Sequence, residues 1–426
     1  PPADPPLPEP VTVRVVPDGS GDYASLEAAV AAVPSGSTIL LDPGTHRLAG
    51  SLEIEKSLSV QGTGMDQTIV VGTEGAQVVR FTGPGFLSAQ GIAFRYEGTG
   101  PARVVTIDDA EIDIADCHFS GGIWSDAESM GGDGILLWGN STGTIRASHF
   151  EGNGHSGIEL QDQSQLLLED NVFRDNGKSG LIYFDDSGGT ARGNELTGNG
   201  LHGIEVREQA QPVLEANTST LNAENGIAYF EYASGTASQN TCSENGLHGI
   251  GVRENAYPDL EENVCNKNQE AGIRFSDSAG GTASRNECVE NGLHGISVRK
   301  EAQPVLEANT ITLNAQDGIA YFEESGGLAR QNICSENGLH GISVNEQAHP
   351  TLEGNLCENN AEAGIRYSDS TGGTARGNIC TGNGLHGFHL GEHANPTLED
   401  NVSNSNVEGG FVYFVEASGV ARGNEC

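Results

Sequence analysis

The sequence predicts an all-β fold, a right-handed parallel β-helix solenoid of 23-residue coils with a short N-terminal capping helix. The first observation behind this prediction is a glycine, usually followed by Ile, that recurs every 23 residues without a slip. These key glycines are Gly134, Gly157, Gly180, Gly203, Gly226, Gly249, Gly272, Gly295, Gly318, Gly341, Gly364, Gly387 and Gly410. The second observation is a pair of Asn columns, four residues before the key glycine (Asn153 to Asn406) and fourteen after it (Asn171 to Asn424).

A fixed period of this length indicates a solenoid, in which each coil stacks on its neighbours. A coil of 23 residues is too short for a helix-containing parallel crossover and suits three short strands. Parallel crossovers are right-handed by strong preference. We expect the Ile of each coil to point inward, and the two Asn columns to form hydrogen-bonded ladders at turns.

The chain divides into three stretches. Residues 1–10 (PPADPPLPEP) are predicted to be a Pro-rich linker, which suggests a fused domain before it. Residues 11–133 are predicted to hold a cap and irregular coils, with a helix within 19–33 capped by Ser25 and strands at 38–41, 52–60, 68–73, 78–81 and 86–94. Residues 134–426 give thirteen regular coils, continuous with 11–133 as one domain.

Charge and cysteine usage limit the function. The formal net charge is −38, with 59 acidic against 21 basic residues, which argues against nucleic acid as a partner. No apolar run approaches the ~20 residues needed to span a membrane, so we expect no membrane insertion. Cysteines share one coil position from Cys242 to Cys380 and again at Cys426, which predicts stacked, buried, reduced thiols. The compartment stays open, although an extracellular or cell-surface location is favoured.

The coils resemble a known family. The Asn-x-x-x-Gly-Ile repeat, together with Asp18-Gly-Ser-Gly-Asp-Tyr23, Ile39-Leu-Leu-Asp-Pro-Gly-Thr-His46 and Ile54-Glu-Lys-Ser-Leu58, is similar to the pectin-lyase-like superfamily, of the carbohydrate-binding and sugar-hydrolase type. The resemblance implies the β-helix fold and a polysaccharide partner. The superfamily holds lyases, hydrolases, epimerases, esterases and binders, so it implies no single activity. The motifs of pectinesterases, polygalacturonases and alginate epimerases are absent, although Gly132-Asp133-Gly134-Ile135 partly matches the second of these.

The fourth residue after the key glycine alternates between aromatic residues and Arg. Flat apolar rings beside guanidinium donors suit sugar binding. The candidate ligand-binding residues at this position are Trp138, Phe184, Arg207, Phe230, Arg253, Arg299 and Phe322. The alternative interpretation is Phe–Arg stacking that only stabilises neighbouring coils.

The next position is a column of acids. Hard oxygen ligands would favour Ca²⁺ at Glu254, Asp277 and Glu323, whereas a solvated turn would need no metal. Apart from this calcium, no cofactor is expected. Lys300 interrupts the column, and cationic charge beside an acid is what β-elimination or epimerisation of a uronate requires. Lys300, His294 and Asp317 are therefore weak catalytic candidates, against a surface substitution and turn-stabilising hydrogen bonds.

One coil breaks the period, because 43 residues separate Gly91 from Gly134. Aligning Gly91-Ile92 with Gly134-Ile135 predicts two loops, 96–104 and 123–132, flanking one face. With Arg95, Trp124 and Trp138 nearby, this face is the best single candidate for a glycan pocket. The alternative is that the loops shield one end of the sheet.

The sequence favours a domain that binds carbohydrate along the outward face of the Gly–Ile strands. The first alternative is a polysaccharide lyase or epimerase acting on uronate glycans, and the second is a structural or protein-interaction scaffold. Repetition favours binding or structure, because catalysis needs one irregular, preorganised site.

Overall fold

The computed structural model describes residues 8–414 and 416–426, so most of the predicted linker lies outside the described residues. The chain forms two compact units, Pro1–Gly200 and Leu201–Cys426. Each unit is a parallel β-solenoid, which confirms the predicted fold class. Among the described residues, no helix is long and apolar enough to cross a membrane.

The first unit begins with β1 and the capping helix α1. The helix spans Leu26–Ala32, and the Ser25 side chain accepts a hydrogen bond from the Ala28 N–H, as predicted. The strands of this unit are β1 Thr12–Val15, β2 Ser37–Leu41, β3 Gly44–Arg47, β4 Leu52–Ile54, β5 Leu58–Gln61, β6 Thr68–Gly72, β7 Gln77–Thr82, β8 Phe86–Gln90, β9 Ala93–Tyr96, β10 Arg103–Asp108, β11 Glu111–Ala115, β12 His118–Ser120, β13 Trp124–Ser125, β14 Met130–Gly131, β15 Ile135–Trp138, β16 Thr142–Arg146, β17 His149–Glu151, β18 Ile158–Leu160, β19 Gln165–Glu169, β20 Val172–Arg174, β21 Leu181–Tyr183, β22 Gly188–Arg192 and β23 Glu195–Thr197.

Three parallel sheets wrap this unit. The Gly–Ile sheet contains β4, β7, β10, β15, β18 and β21. The second sheet runs from β1 and β2 to β22, and the third from β3 to β23. The predicted strands 52–60 and 86–94 are each two strands, because the chain turns a corner between sheets at residues 55–57 and 91–92.

The second unit repeats three strands per coil with little variation. Its strands are β24 Ile204–Val206, β25 Val213–Glu215, β26 Thr218–Thr220, β27 Ile227–Tyr229, β28 Thr236–Ser238, β29 Thr241–Ser243, β30 Ile250–Val252, β31 Asp259–Glu261, β32 Val264–Asn266, β33 Ile273–Phe275, β34 Thr282–Ser284, β35 Glu287–Val289, β36 Ile296–Val298, β37 Val305–Glu307, β38 Thr310–Thr312, β39 Ile319–Tyr321, β40 Leu328–Arg330, β41 Ile333–Ser335, β42 Ile342–Val344, β43 Thr351–Glu353, β44 Leu356–Glu358, β45 Ile365–Tyr367, β46 Thr374–Arg376, β47 Ile379–Thr381, β48 His386–Leu390, β49 Thr397–Glu399, β50 Val402–Asn404, β51 Gly409–Tyr413 and β52 Val420–Arg422.

In the second unit, every third strand from β24 to β51 belongs to the Gly–Ile sheet. Its inward residues form the core: Ile250 and Val252, for example, are fully buried. The column from Cys242 to Cys380 consists of buried free thiols, as predicted, whereas Cys426 is exposed in the terminal coil, where β52 is exposed as well.

The Asn columns form the predicted ladders. The Asn263 side-chain N–H₂ donates to the Asn286 side-chain oxygen at 3.0 Å and to the Ala237 carbonyl at 2.8 Å. The same Asn286 oxygen accepts the backbone N–H of Asn263 at 2.9 Å. Each buried amide therefore satisfies backbone groups at a turn, which the buried position requires. The ladders hold the coils in a register that places the outward residues in straight rows.

Candidate functional site

The outward face of the Gly–Ile sheet in the second unit consists of three rows of side chains. The leading row holds the residue before each key glycine, the central row the second residue after it, and the trailing row the fourth. The central row alternates with inward residues along each strand, yet Glu205, Ser297 and Ser343 are only 5%, 3% and 1% exposed. The leading and trailing rows therefore cover the central row, and a ligand would first meet these two outer rows.

In the trailing row, Phe230 is covered by its neighbours, whereas Phe414 is 45% exposed. Phe230 lies with its ring centre 5.6 Å from that of His202, and the Arg207 guanidinium lies 4.8 Å above the ring. Phe230 is only 8% exposed, so the prediction of an exposed aromatic platform is wrong at this position. The ring still points outward, but His202 and Arg207 occupy its faces.

The same arrangement recurs 92 residues later. The Phe322 ring centre lies 5.6 Å from that of His294, and Arg299 lies 4.2 Å above the Phe322 ring. Because a guanidinium over an aromatic face is attracted to its electron-rich surface, the stack holds each Arg in place. We call these two arrangements, His202–Phe230–Arg207 and His294–Phe322–Arg299, the His–Phe–Arg stacks.

His248 and His340 of the leading row are buried and neutral. The Ala271 N–H donates to His248 Nδ1 at 3.2 Å, and the Ala363 N–H donates to His340 Nδ1 at 3.1 Å. Burial lowers the pKa of His248 to about 3, and Arg274 lowers it further in the same direction. Burial and Arg366 likewise lower the pKa of His340 to about 3. Each Nδ1 thus acts as an acceptor, which fixes the ring tautomer with the proton on Nε2.

A cavity of about 250 Å³ lies between the leading and trailing rows, where basic side chains gather. It is lined by His248, Glu270, Ala271, Arg274, Leu293, His294, Ser297 and Arg299. Burial, followed by Arg299 and Arg253, lowers the pKa of the Arg274 guanidinium. In a chain with a net charge of −38, this is a local excess of positive charge.

The predicted catalytic candidates separate into two places. Lys300 Nζ lies 3.0 Å from Asp277 Oδ1, in an exposed pair. His294 Nδ1 lies 3.4 Å from Asp317 Oδ2, with both side chains buried. Burial and Arg299 lower the pKa of His294 to about 4, whereas burial raises the pKa of Asp317. His294 and Asp317 are therefore in contact, and Lys300 does not share this contact.

The acidic column lies at a turn with left-handed backbone, with φ of 57° at Glu254, 58° at Asp277 and 54° at Glu323. In the same column, the Glu231 carboxylate accepts the N–H of Glu208 at 2.9 Å, and the Asp277 carboxylate contacts Lys300. Within residues 8–414 and 416–426, three potential metal-ligating groups come together only at another place. Glu254, Asp277 and Glu323, expected to bind Ca²⁺, do not form such a group, and Asp277 lies beside Lys300 and Arg253 instead.

That other place lies in the first unit, at the long coil. Asp133 Oδ1 lies 2.8 Å from His155 Nδ1, and Glu159 Oε2 lies 3.3 Å from the same nitrogen. Arg103 Nε donates to Asp133 Oδ2 at 2.9 Å, and Trp124 stacks on His155 with ring centres 4.3 Å apart. Burial, which lowers the pKa of His155, is outweighed by its hydrogen bonds to Asp133 and Glu159, so that this pKa rises to about 9.

The long coil was aligned incorrectly from the sequence. Ile135 pairs with Val105 of β10, whereas β9, which follows Gly91-Ile92, belongs to the third sheet. Both long loops therefore precede strands of the Gly–Ile sheet, and they pair with each other through Ala102 and Ile123. The sequence had placed one of these loops after a Gly–Ile strand.

The residues predicted for a glycan pocket at this coil are dispersed. Trp124 lies in the β13–β14 hairpin against His155, and Trp138 ends β15 of the Gly–Ile sheet. Arg95 lies in β9 of the third sheet, 3.8 Å from Glu97, and Phe184 is half-buried after β21. Sequence reasoning missed the roles of Arg103, His155 and Glu159. The partial Gly-Asp-Gly-Ile match at Asp133 was the one available signal.

One imidazole and two carboxylates are ligands that a divalent metal accepts. Their ligand atoms lie within 4.8 Å of one another. However, Asp133 already accepts hydrogen bonds from Arg103, His155 and the Ser156 hydroxyl. A metal would have to displace the proton that His155 shares with the carboxylates. The contacts fit a buried ion-pair network that docks the Trp124 hairpin better than they fit a metal centre.

The chain matches the family described as "Right handed beta helix region" over residues 91–200, 177–302 and 294–426, while no curated protein matches. A mutant form of the periplasmic alginate epimerase AlgG has a similar structure, with a TM-score of 0.50, 13% identity, and coverage of 77% of this chain and 81% of that chain. The A-module of the Azotobacter vinelandii mannuronan C-5 epimerase AlgE4 gives a TM-score of 0.40 at 14% identity, covering 91% of each chain. Since the family match spans most of the sequence, the chain belongs to the right-handed β-helix family, with a pectin-lyase-like fold.

Proposed function

We propose that the chain binds polysaccharide along the outward face of the Gly–Ile sheet in the unit of residues 201–426. The observation that carries the proposal is the repetition of the His–Phe–Arg stack. The two stacks are four coils apart, or ~19 Å at ~4.8 Å per coil. A surface that repeats along an axis suits a ligand that repeats along its length, because several weak contacts add through multivalency.

Each stack offers a held guanidinium to the ligand. Arg207 is fixed over Phe230, and Arg299 is fixed over Phe322. A guanidinium presents up to five N–H donors in a plane, and its position costs little entropy when a ring already supports it. Sugar hydroxyls and acidic groups are suitable acceptors. An epimerase that acts on alginate shares the fold, which is consistent with a polysaccharide partner outside the cell.

The test is binding to a panel of soluble neutral and acidic polysaccharides, measured by affinity electrophoresis and calorimetry. The double variant R207A/R299A is expected to lower affinity at least tenfold. The matched control is Arg330→Ala, which removes an exposed Arg paired with Glu307 on the second sheet. The proposal fails if no polysaccharide binds, or if the control lowers affinity as much as the double variant.

A second candidate function, a lyase or epimerase acting on uronate glycans, is favoured by the His294–Asp317 contact beside Arg299. Proton abstraction next to a carboxylate needs a base that is neutral or anionic at working pH and a cation that stabilises the enolate. Neutral His294 is a suitable base, and Arg299 a suitable cation. Formation of unsaturated product, followed by ultraviolet absorbance, or of the epimer, followed by NMR, and its loss in H294Q and D317N, would establish this activity.

A further inference from the structure

The cavity between the leading and trailing rows has more hydrogen-bond donors and more positive charge than its own residues satisfy. We infer that it binds a sulfate or phosphate monoester carried by the polysaccharide, a tetrahedral group with three terminal oxygens. This inference rests on the proposed function and names the chemical class of its ligand. It is carried by the donors around Arg274 and by an internal comparison with Arg366.

Charged side chains surround the cavity. Arg253 lies 3.5 Å from Asp277, and Lys300 lies 3.0 Å from the same carboxylate. Arg274 has a single acidic neighbour, Glu270, at 4.0 Å. Arg299 has no carboxylate within ion-pair distance among the described residues; its Nε donates to Ser297 Oγ at 3.2 Å. Arg253 and Lys300 thus pair with Asp277, whereas the cavity itself is lined by two guanidinium groups and one carboxylate, and this surplus of positive charge matches an anion.

Hydrogen-bond donors of the cavity lack acceptors. Arg274 Nε is buried and has no hydrogen-bond partner. His248 Nδ1 accepts the Ala271 N–H, so the proton of the neutral ring is on Nε2. His248 Nε2 lies 3.3 Å from Arg274 Nη1, which can donate a hydrogen bond but cannot accept one. Two donors thus face each other, and Glu270 is 3.5 Å from His248 Nε2. An oxygen of a bound anion would accept from both donors and remove the conflict.

The hydrogen-bond donors approach the cavity from several directions. His248, Arg274 and Arg299 come from three successive coils and line one cavity of about 250 Å³. One bidentate guanidinium satisfies a carboxylate along one edge. Donors that approach from three coils instead match a group with three terminal oxygens. A carboxylated glycan is therefore an alternative that the experiment must separate from the ester.

Arg366 occupies the position equivalent to Arg274 and provides a comparison within the chain. Arg366 lies 92 residues after Arg274, and the coil before it has His340 in the leading row, as the coil before Arg274 has His248. There, the residue equivalent to Arg253 is Asn345, and the residue equivalent to Arg299 is Gly391. Arg366 Nη1 donates to Asn345 Oδ1 at 2.8 Å. The same fold thus holds one Arg with a neutral partner and one Arg in a basic cluster, so Arg366 is a matched control.

The experiment compares polymers that share one backbone: dextran, carboxymethyl dextran, dextran phosphate and dextran sulfate. Calorimetry at fixed ionic strength is performed on the full chain and on R274Q, R366Q and R274K. Dextran sulfate or dextran phosphate should bind at least tenfold more tightly than carboxymethyl dextran. R274Q should lose that preference, whereas R366Q should keep it and R274K should retain part of it. Circular dichroism checks that each variant is folded.

Inorganic sulfate and phosphate provide a readout that does not need the polymer. Each should raise the Tm of the wild type and of R366Q, and should raise that of R274Q much less. Carboxymethyl dextran binding as tightly as the esters would overturn the ester assignment. Equal losses of ester binding in R274Q and R366Q would overturn the assignment of the cavity as the ester site. In both cases, polysaccharide binding that still depends on Arg207 and Arg299 would leave the proposed function standing.

Discussion

His155 in the first unit and His248 in the second both lie at the start of strands of a Gly–Ile sheet, yet their surroundings are opposite. His155 lies between the carboxylates of Asp133 and Glu159, and its pKa is about 9. His248 lies beside Arg274, and its pKa is about 3. The difference shows that the side chains around each ring, two carboxylates at His155 and a guanidinium at His248, decide whether the ring is a cation or neutral.

The two regions also differ in whether each charged group has a hydrogen-bond partner. In the first, each charge has an opposite partner within hydrogen-bond distance, and the network holds the Trp124 hairpin. In the second, the guanidinium of Arg274 has a buried donor without an acceptor. A complete network serves stability, whereas an incomplete one suits a ligand that supplies the missing charge. Five predictions test this difference.

The largest expected effect is on the complete network. Asp133→Ala should lower the free energy of unfolding of the first unit by ~3 kcal/mol, because Arg103 and His155, both half-buried, would lose the buried carboxylate between them. Denaturation in urea, followed by tryptophan fluorescence, measures this change. The control is Asp113→Ala, which removes an exposed pair with Arg146 and should cost ~1 kcal/mol or less. Equal losses in the two variants would contradict the assignment of Asp133 as the centre of the network.

The second prediction concerns the two imidazoles directly. NMR titration should find the pKa of His155 near 9 and that of His248 near 3. Asp133→Asn should lower the pKa of His155, and R274Q should raise that of His248 by ~1 unit, or ~1.4 kcal/mol. An unchanged His248 pKa in R274Q would show that burial alone sets it. R366Q provides the control, since it should act on His340 and leave His248 as it was.

Much of the fold could be predicted from the sequence, because a strict period leaves one register for each residue. The inward position of Ile250 and the Asn263–Asn286 ladder follow from the count alone. The site could be predicted only in part. Asp133 and His155 lie in coils one period apart, but Arg103 meets Asp133 because β10, and not the segment after Gly91, pairs with β15, and the irregular coil gives no period from which to read this. The cover over Phe230 also depends on which way His202 and Arg207 turn.

The third prediction is a pH dependence of the Trp124 hairpin. His155 has a folded pKa above its ordinary value of 6.5, so its contribution to stability is fully present below 6.5 and is lost as pH rises through about 9. The docking free energy of the hairpin should therefore weaken by ~1–2 kcal/mol at most. Trp124 fluorescence should report this change between pH 8 and 10. H155Q should abolish the change.

The same linkage has the opposite sign in the second unit. The folded pKa values of His248, His294 and His340 are lowered to about 3, 4 and 3. These groups take up protons more readily when unfolded, so stability should fall as pH drops below 6.5 and continue to fall towards 3 to 4. A Tm that stays flat between pH 6.5 and 4 would contradict the neutral, buried histidines on which the donor count at Arg274 depends.

The smallest effect tests the incomplete site without any ligand. R274Q should leave the free energy of unfolding unchanged or raise it by up to ~1 kcal/mol, because it removes a charge that burial and two other arginines oppose. R366Q should lower it by ~1 kcal/mol, because that variant loses the charged hydrogen bond to Asn345. The contrast is informative because both residues occupy the central row of equivalent coils. If R274Q were as destabilising as R366Q, Arg274 would be a structural residue, and the positive charge at the cavity would need no ligand to explain it.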